Sequence, residues 1–320
     1  MITVTAESFP LTSAFTIARG SRSEARVLSV HITRNGVTGR GECTPYPRYG
    51  ESEESVTAQI LSLPGDITRI ALQRALPPGA ARNAVDCALW DHEAKRTGRR
   101  VWELAGLPPP RPVASAYTLS LDTPEAMGRA AARNAGRPLL KLKLGGEGDL
   151  ARLEAVRHGA PGARLIIDAN EGWDIATYRR RLPRLAALGV ALIEQPLPAG
   201  ADAELAGLPR PVALCADESC HTRADLGRLA GLYDVVNVKL DKAGGLTEAL
   251  ALADAARTAG FGVMAGCMLG SSLGVAPAVL VAQGAAFADL DPPMLLSRDR
   301  EHALACDGAN VHPPAAALWG

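Results

Sequence analysis

The chain has 320 residues, with 34 basic against 34 acidic side chains, and it is 47% hydrophobic with few aromatics. That length suits about two domains, or one large barrel with an addition, and leaves room for a sizeable aliphatic core. The balanced charge gives no sign of nucleic-acid or anionic-membrane binding, and no apolar run of about 18 residues offers a membrane span.

Six cysteines, at 43, 87, 215, 220, 267 and 306, form no CxxC pair and no cluster with zinc spacing. They read as reduced thiols in a cytoplasmic protein, and the N-terminus lacks the basic start and apolar centre of a signal peptide.

The first third reads as α+β. RVLSVHITRNGVTGRGEC, residues 26–43, holds two strand-like runs joined at Asn35-Gly36, a strong hairpin signal. The helical pattern of 52–63 starts at a candidate Ser52 cap, with a glutamate of the first turn expected to close a capping box. A longer helix over 80–98 ends at Gly98. The proline-rich LPPPRP, 107–112, reads as a linker.

Beyond it, short apolar runs alternate with alanine- and leucine-rich helical segments. The runs lie at 114–121, 138–144, 163–168, 190–194, 212–217, 234–240, 261–266 and 285–291. Eight such runs predict an α/β fold, a (β/α) TIM-like barrel, over a doubly wound sheet; no GxGxxG supports a dinucleotide site. The expected division is an α+β capping domain over 1–112 and a barrel over 113–320, with the last ~25 residues packing back on the capping domain.

In such barrels the active site gathers at the C-terminal ends of the strands. Here those ends carry charge: Lys141 and Lys143, then Asp168, Glu194, Asp217 and Lys239, and finally Asp289 and Asp291. An isolated acid at a strand end is usually a helix cap. Three on successive strands would converge and repel, unless a hard cation such as Mg²⁺ took them as oxygen ligands. Lys141 and Lys143 share one face of their strand, so Lys141 and a bound cation are expected to depress the pKa of Lys143. Lys239 stands on the opposite side of the barrel. Two bases facing across a cation suit removal of a proton from carbon and its return on the other face, through an enediolate. Asp289 and Asp291, two apart on the last run, are expected to face one side together.

KLKL (141–144), IIDANEGW (166–173), IEQPL (193–197), ADES (216–219) and VNVKLDKAGG (236–245) resemble the muconate-lactonising-enzyme branch of the enolase superfamily, in the family order. ARGSRSEAR (18–26), GECTPYPRYGES (41–52), LCADESCHTR (214–223) and FADLD (287–291) are similar to its dipeptide epimerases. The resemblance implies a modified (β/α)₇β barrel, Mg²⁺ as cofactor, and 1,1-proton transfer on L-Ala-D/L-Glu, in murein peptide recycling. Lys143 and Lys239 would be the acid/base pair, and Asp168, Glu194 and Asp217 the metal ligands. Asp289 and Asp291 would hold the substrate ammonium. Thr118, Lys141, Cys267 and Leu269 match pocket positions. Arg19, Arg22 and Tyr46 belong to capping loops, and either arginine could meet a distal carboxylate. Other dipeptides, N-acylamino acid racemisation, o-succinylbenzoate synthesis and a non-catalytic barrel stay open as alternatives. The substrate class is a small molecule; oligomeric state is not legible.

Overall fold

The computed structural model describes residues 1–320. An antiparallel sheet opens the chain: β1 (Ile2–Ile17), β2 (Gly20–Arg34) and β3 (Val37–Cys43), in that order. The β2–β3 turn is Asn35-Gly36, with φ of 50° and 75°, the paired left-handed geometry that its sequence favours. Three helices cover this sheet: α1 (Glu53–Leu61), α2 (Arg69–Ala75) and α3 (Ala80–Thr97). The capping box of α1 forms, but Ser55 closes it rather than a glutamate. Ser52 occupies the cap, so the third helical position is Ser55, whose hydroxyl accepts from Ser52 N at 2.9 Å. Helix α3 lies directly on β3. A Cβ on Gly41 would stand 2.1 Å from the Ala84 carbonyl oxygen, so glycine is what lets strand and helix backbones touch.

Eight parallel strands then form one sheet: β4 (Tyr117–Leu119), β5 (Leu139–Lys143), β6 (Arg164–Asp168), β7 (Val190–Glu194), β8 (Ala213–Ala216), β9 (Val235–Lys239), β10 (Gly262–Gly266) and β11 (Phe287–Asp289). The sheet closes on itself where Ala116 N donates to Ala288 O at 2.8 Å. Each expected run holds one of these strands, most of them trimmed at one or both ends. Helices such as α4 (Pro124–Arg133), α5 (Asp149–Gly159), α6 (Ile175–Ala187) and α7 (Leu246–Thr258) wrap the outside.

The pleat sorts side chains. Leu140, Leu142, Ile167 and Ile193 point outward into the large core shared with the helices. Leu139, Ile166, Leu192, Cys215, Val235 and Met264 point inward and form an apolar floor. Each fully buried leucine or isoleucine of this floor contributes about 1.5–3 kcal/mol.

After β11 the chain returns to the capping domain. Arg300 pairs with Glu7 at 2.8 Å and Glu42 at 2.6 Å, and the Trp319 indole donates to Cys87 O at 3.0 Å. All six cysteines are free, and no helix is long and apolar enough to cross a membrane.

Candidate active site

The site follows from the floor by a step of two residues. Side chains i and i+2 of a strand share a face. Two beyond Leu139 is Lys141; two beyond Ile166 is Asp168; two beyond Leu192 is Glu194. Two beyond Cys215 is Asp217, and two beyond Val235 is Asn237. One further step brings Lys143 and Lys239. Cross-strand register sets Lys143, Asp168, Glu194 and Cys215 side by side, and Lys239, Gly266 and Asp289 likewise. A Cβ on Gly266 would lie 2.4 Å from Asn237 Oδ1, so a side chain there would displace the Asn237 amide.

These buried charges are paired one against another. Lys143 Nζ lies 2.6 Å from Asp168 Oδ2, and Lys239 Nζ lies 2.6 Å from Asp217 Oδ2. Lys141 Nζ lies 2.7 Å from Asp289 Oδ2, 2.6 Å from Glu194 Oε2 and 3.2 Å from Asp168 Oδ2. Lys242 Nζ holds Asp217 Oδ1 at 2.6 Å and Asn237 O at 3.0 Å, and it also donates to the Asp217 carbonyl. Asn237 Nδ2 donates to Glu194 Oε1 at 2.8 Å.

Lys239 and Lys141 keep their charge firmly. At Lys239, burial favours the neutral amine, but Asp217 and Glu194 outweigh it and hold the ammonium well above its usual range. Lys141 behaves alike: burial is overcome by Asp289, Glu194 and Asp168. Its charge is compensated by three carboxylates. Among the acids, burial and then Asp168 push Glu194 up to about 7. At Asp217 burial is overcome by Lys239 and Lys242, which keep it well below the ordinary range.

Asp168, Glu194 and Asp217 are fully or almost fully buried on three adjacent strands, and their charges oppose one another. Glu194 Oε2 faces the Lys141 ammonium without hydrogen-bond geometry and has no hydrogen-bond partner. An oxygen-only donor set with an unsatisfied carboxylate oxygen fits a hard divalent cation. The side chains do not form a ready cluster of three metal-ligating groups, because ammonium groups lie against the carboxylates. Ligation asks those groups to swing aside.

Above this layer lies a cavity of about 530 Å³. Thr118, Lys141, Lys143, Lys239, Asp289 and Asp291 line its barrel side, with Cys267 and Leu269 from the loop after β10. Asp291 reaches it differently from expectation. Strand β11 ends at Asp289, and Asp291 has helical backbone angles before Pro292-Pro293, so the turn rather than the pleat aims its side chain. Its Oδ2 accepts from Thr118 N at 2.6 Å. Burial, followed by Asp289, pushes Asp291 up to about 7. Asp289 Oδ1 is buried without a partner.

The capping domain supplies the roof: Arg19, Arg22, Tyr46, Arg48 and Tyr49 line the same cavity. Arg48 grips Glu171 with both ends at 2.8 Å, and the Tyr49 ring meets His221 edge-on at 4.6 Å. Glu171, Glu218 and Lys242 stand among the charges at the strand ends but had no role assigned from the sequence, and Asn237 was not foreseen. Asn237 was legible, being two residues before Lys239 on one strand. Lys242 follows β9 in a single helical turn, where no periodicity points inward.

Comparison with known proteins agrees with this geometry. Residues 1–106 match the model of the mandelate racemase/muconate lactonizing enzyme N-terminal domain, and residues 125–312 match the enolase C-terminal domain-like model. The chain is 50% identical to the L-Ala-D/L-Glu epimerase of Escherichia coli, over 96% of this chain and 97% of that one. The chain belongs to the dipeptide epimerase family of the enolase superfamily. It is thus an isomerase, as the closed barrel and capping domain of that superfamily fit. Another family relative, 46% identical over 88% of this chain and 91% of its own, is the N-acetyl-D-glutamate racemase of a Pseudoalteromonas species. A solved enolase family member from Agrobacterium tumefaciens, with bound sodium and L-Ala-L-Glu, superposes with a TM-score of 0.97 at 53% identity, covering 100% of this chain and 99% of that one. The family's Enterococcus faecalis dipeptide epimerase, complexed with Mg and L-Leu-L-Tyr, superposes with a TM-score of 0.90 at 28% identity, covering 99% and 98%.

Proposed function

We propose that this protein is an L-Ala-D/L-Glu epimerase that moves one proton at the glutamyl α-carbon. The observation that carries this reading is the pair Lys143 and Lys239, on strands four apart in an eight-stranded barrel, lining one cavity. The lysine on one face, as the neutral amine once its own proton has left, takes the α-proton, and the other, as the ammonium, returns a proton on the opposite face. The order reverses for the other stereoisomer. Asp168, Glu194 and Asp217 are the residues that would hold Mg²⁺. When bound, Mg²⁺ supplies positive charge to the substrate carboxylate as the α-carbon loses its proton.

Substrate choice rests on the two ends of the cavity. Asp289, with its unpartnered Oδ1, and Asp291 receive the ammonium of the N-terminal residue. Arg22 is the cation for the distal carboxylate. It lines the cavity and has only a weak contact with the Tyr46 ring, 6.0 Å from its centroid, whereas Arg19 is already engaged by four oxygens. An N-acylated glutamate, the substrate named for one relative, would use Arg22 but offer no ammonium to Asp289 Oδ1. L-Ala-D-Glu is a fragment of bacterial wall peptide, so the proposed role is murein peptide recycling.

The test is proton NMR of L-Ala-L-Glu in D₂O with protein and Mg²⁺. Loss of the glutamyl α-proton, with appearance of the D-Glu diastereomer, is the expected result. Turnover of N-acetylglutamate with none of the dipeptide would replace this reading with the acyl one.

A further inference from the structure

Strands β1 and β2 form a long hairpin whose tip, Ala18-Arg19, lies over the mouth of the barrel. The pairs Phe15–Arg22, Thr16–Ser21 and Ile17–Gly20 run up to that tip. One side of the tip is tied to the exit of β4, where Leu121 N donates to Thr16 O at 2.9 Å. The other side is tied only through Arg19. Its Nη2 donates to Glu218 Oε1 at 2.8 Å and to the Tyr46 hydroxyl at 3.0 Å. Its Nη1 donates to Asn170 O at 3.1 Å and Glu171 Oε2 at 3.3 Å. The Glu218 side chain is 1% exposed, so this ion pair is far better shielded than an ordinary surface pair. Asn170 and Glu171 both hold left-handed backbone angles, φ of 45° and 67°, which present the Asn170 carbonyl to the guanidinium.

We propose that Arg19 is a positioning residue, a bolt that fixes the hairpin tip across the barrel mouth through Glu218 and the Asn170 carbonyl, and so sets Arg22 over the cavity. The planar guanidinium suits this task, because its forked donors can join acceptors from two different loops at once. Those loops follow β6 and β8, two and four strands round the barrel from β4, so the bolt makes the hairpin a bridge rather than a free flap. Arg22, three residues on, is thereby held in place by contacts it does not itself make. This assignment refines the substrate reading above through Arg22, but its first test does not depend on that reading.

Hydrogen exchange on the free protein is that test. In Arg19→Gln, and equally in Glu218→Gln, a peptide covering residues 15–23 should exchange about 10- to 100-fold faster, while α3 is unchanged. The double variant should be no faster than Arg19→Gln alone, since Glu218 acts on the tip only through Arg19. Unchanged exchange of the tip in Arg19→Gln overturns the proposal. With L-Ala-L-Glu, both single variants should lose kcat/KM to a similar degree. A large loss in Arg19→Gln with none in Glu218→Gln would make Arg19 a substrate ligand and also overturn it. If the wild-type protein turns over no dipeptide, the epimerase reading fails while the exchange result still decides the role of Arg19.

Discussion

Lys242 holds Asp217 from beneath: its ammonium lies 2.6 Å from Asp217 Oδ1, leaving Oδ2 to face Lys239. Both residues are almost completely buried. Lys242→Met would leave Asp217 Oδ1 and two buried carbonyl oxygens without this donor, with Lys239 alone facing Oδ2. We expect a loss of about 3–5 kcal/mol, the cost of breaking one half of a buried ion pair. Urea unfolding of the variant measures it, and a loss under about 1 kcal/mol would show that Asp217 does not depend on Lys242 for its charge balance.

Lys143→Ala and Lys239→Ala should each reduce epimerisation by at least about 10²-fold, since each removes the proton carrier for one face. One of the variants is expected to keep exchange of the α-proton in a single stereoisomer, seen by NMR in D₂O. Two-way turnover surviving in either variant contradicts the two-base reading.

Asp289→Asn should weaken the capture of a free ammonium. A charge-assisted hydrogen bond is worth about 1.5–3 kcal/mol, or about 10- to 150-fold in kcat/KM for L-Ala-L-Glu. Any activity on N-acetylglutamate should fall less, because that substrate carries no ammonium. Equal losses on both would place Asp289 in the support of Lys141 instead, which it meets at 2.7 Å.

Asp86 ties α3 to α7: its Oδ2 accepts from Thr247 N at 2.9 Å and its Oδ1 from Thr247 Oγ1 at 2.7 Å. Burial pushes its pKa up to about 6, against the opposing pull of Thr247, Arg69 and Arg82. A carboxyl whose pKa is higher in the folded state binds its proton more tightly there. Its contribution to stability is therefore complete below the ordinary carboxylate pKa and is lost as pH rises through about 6. The change is about 3 kcal/mol. Asp86→Asn should flatten the fall in stability between pH 4 and 7, as read from urea midpoints. A slope identical to that of the wild type would mean that Asp86 ionises normally.

Much of the barrel was legible because one physical rule governs it. Parallel strands buried on both faces read as apolar runs, and a charge at the end of such a run has few places to go but the barrel mouth. The first strand, β1, escaped because it is an edge strand with one face exposed. Pro10 interrupts its pattern and sits where the register with β2 shifts, a place where proline is tolerated. Helix α2, seven residues long with a single fully buried leucine, was too short for its period to register. Asp289 and Asp291 reach one cavity as expected, but Asp291 gets there by a turn, and alternation in the sequence could not distinguish the two routes. The partners of Lys141 were hidden for a related reason: the carboxylates that answer it, Asp168, Glu194 and Asp289, come from strands far along the chain.

The anchoring of the last segment bears on how the site admits its substrate. Arg300 rivets Glu7 and Glu42 of the capping sheet, and Trp319 and Gly320 fasten to Cys87 and Asp91 of α3. The chain therefore laces the two domains together at its beginning and again at its end. Such a molecule does not open like a jaw about an interdomain hinge. Traffic in and out must pass beneath two small awnings, the β1–β2 hairpin tip and the segment around Tyr46 to Tyr49, while the walls that carry them stand still.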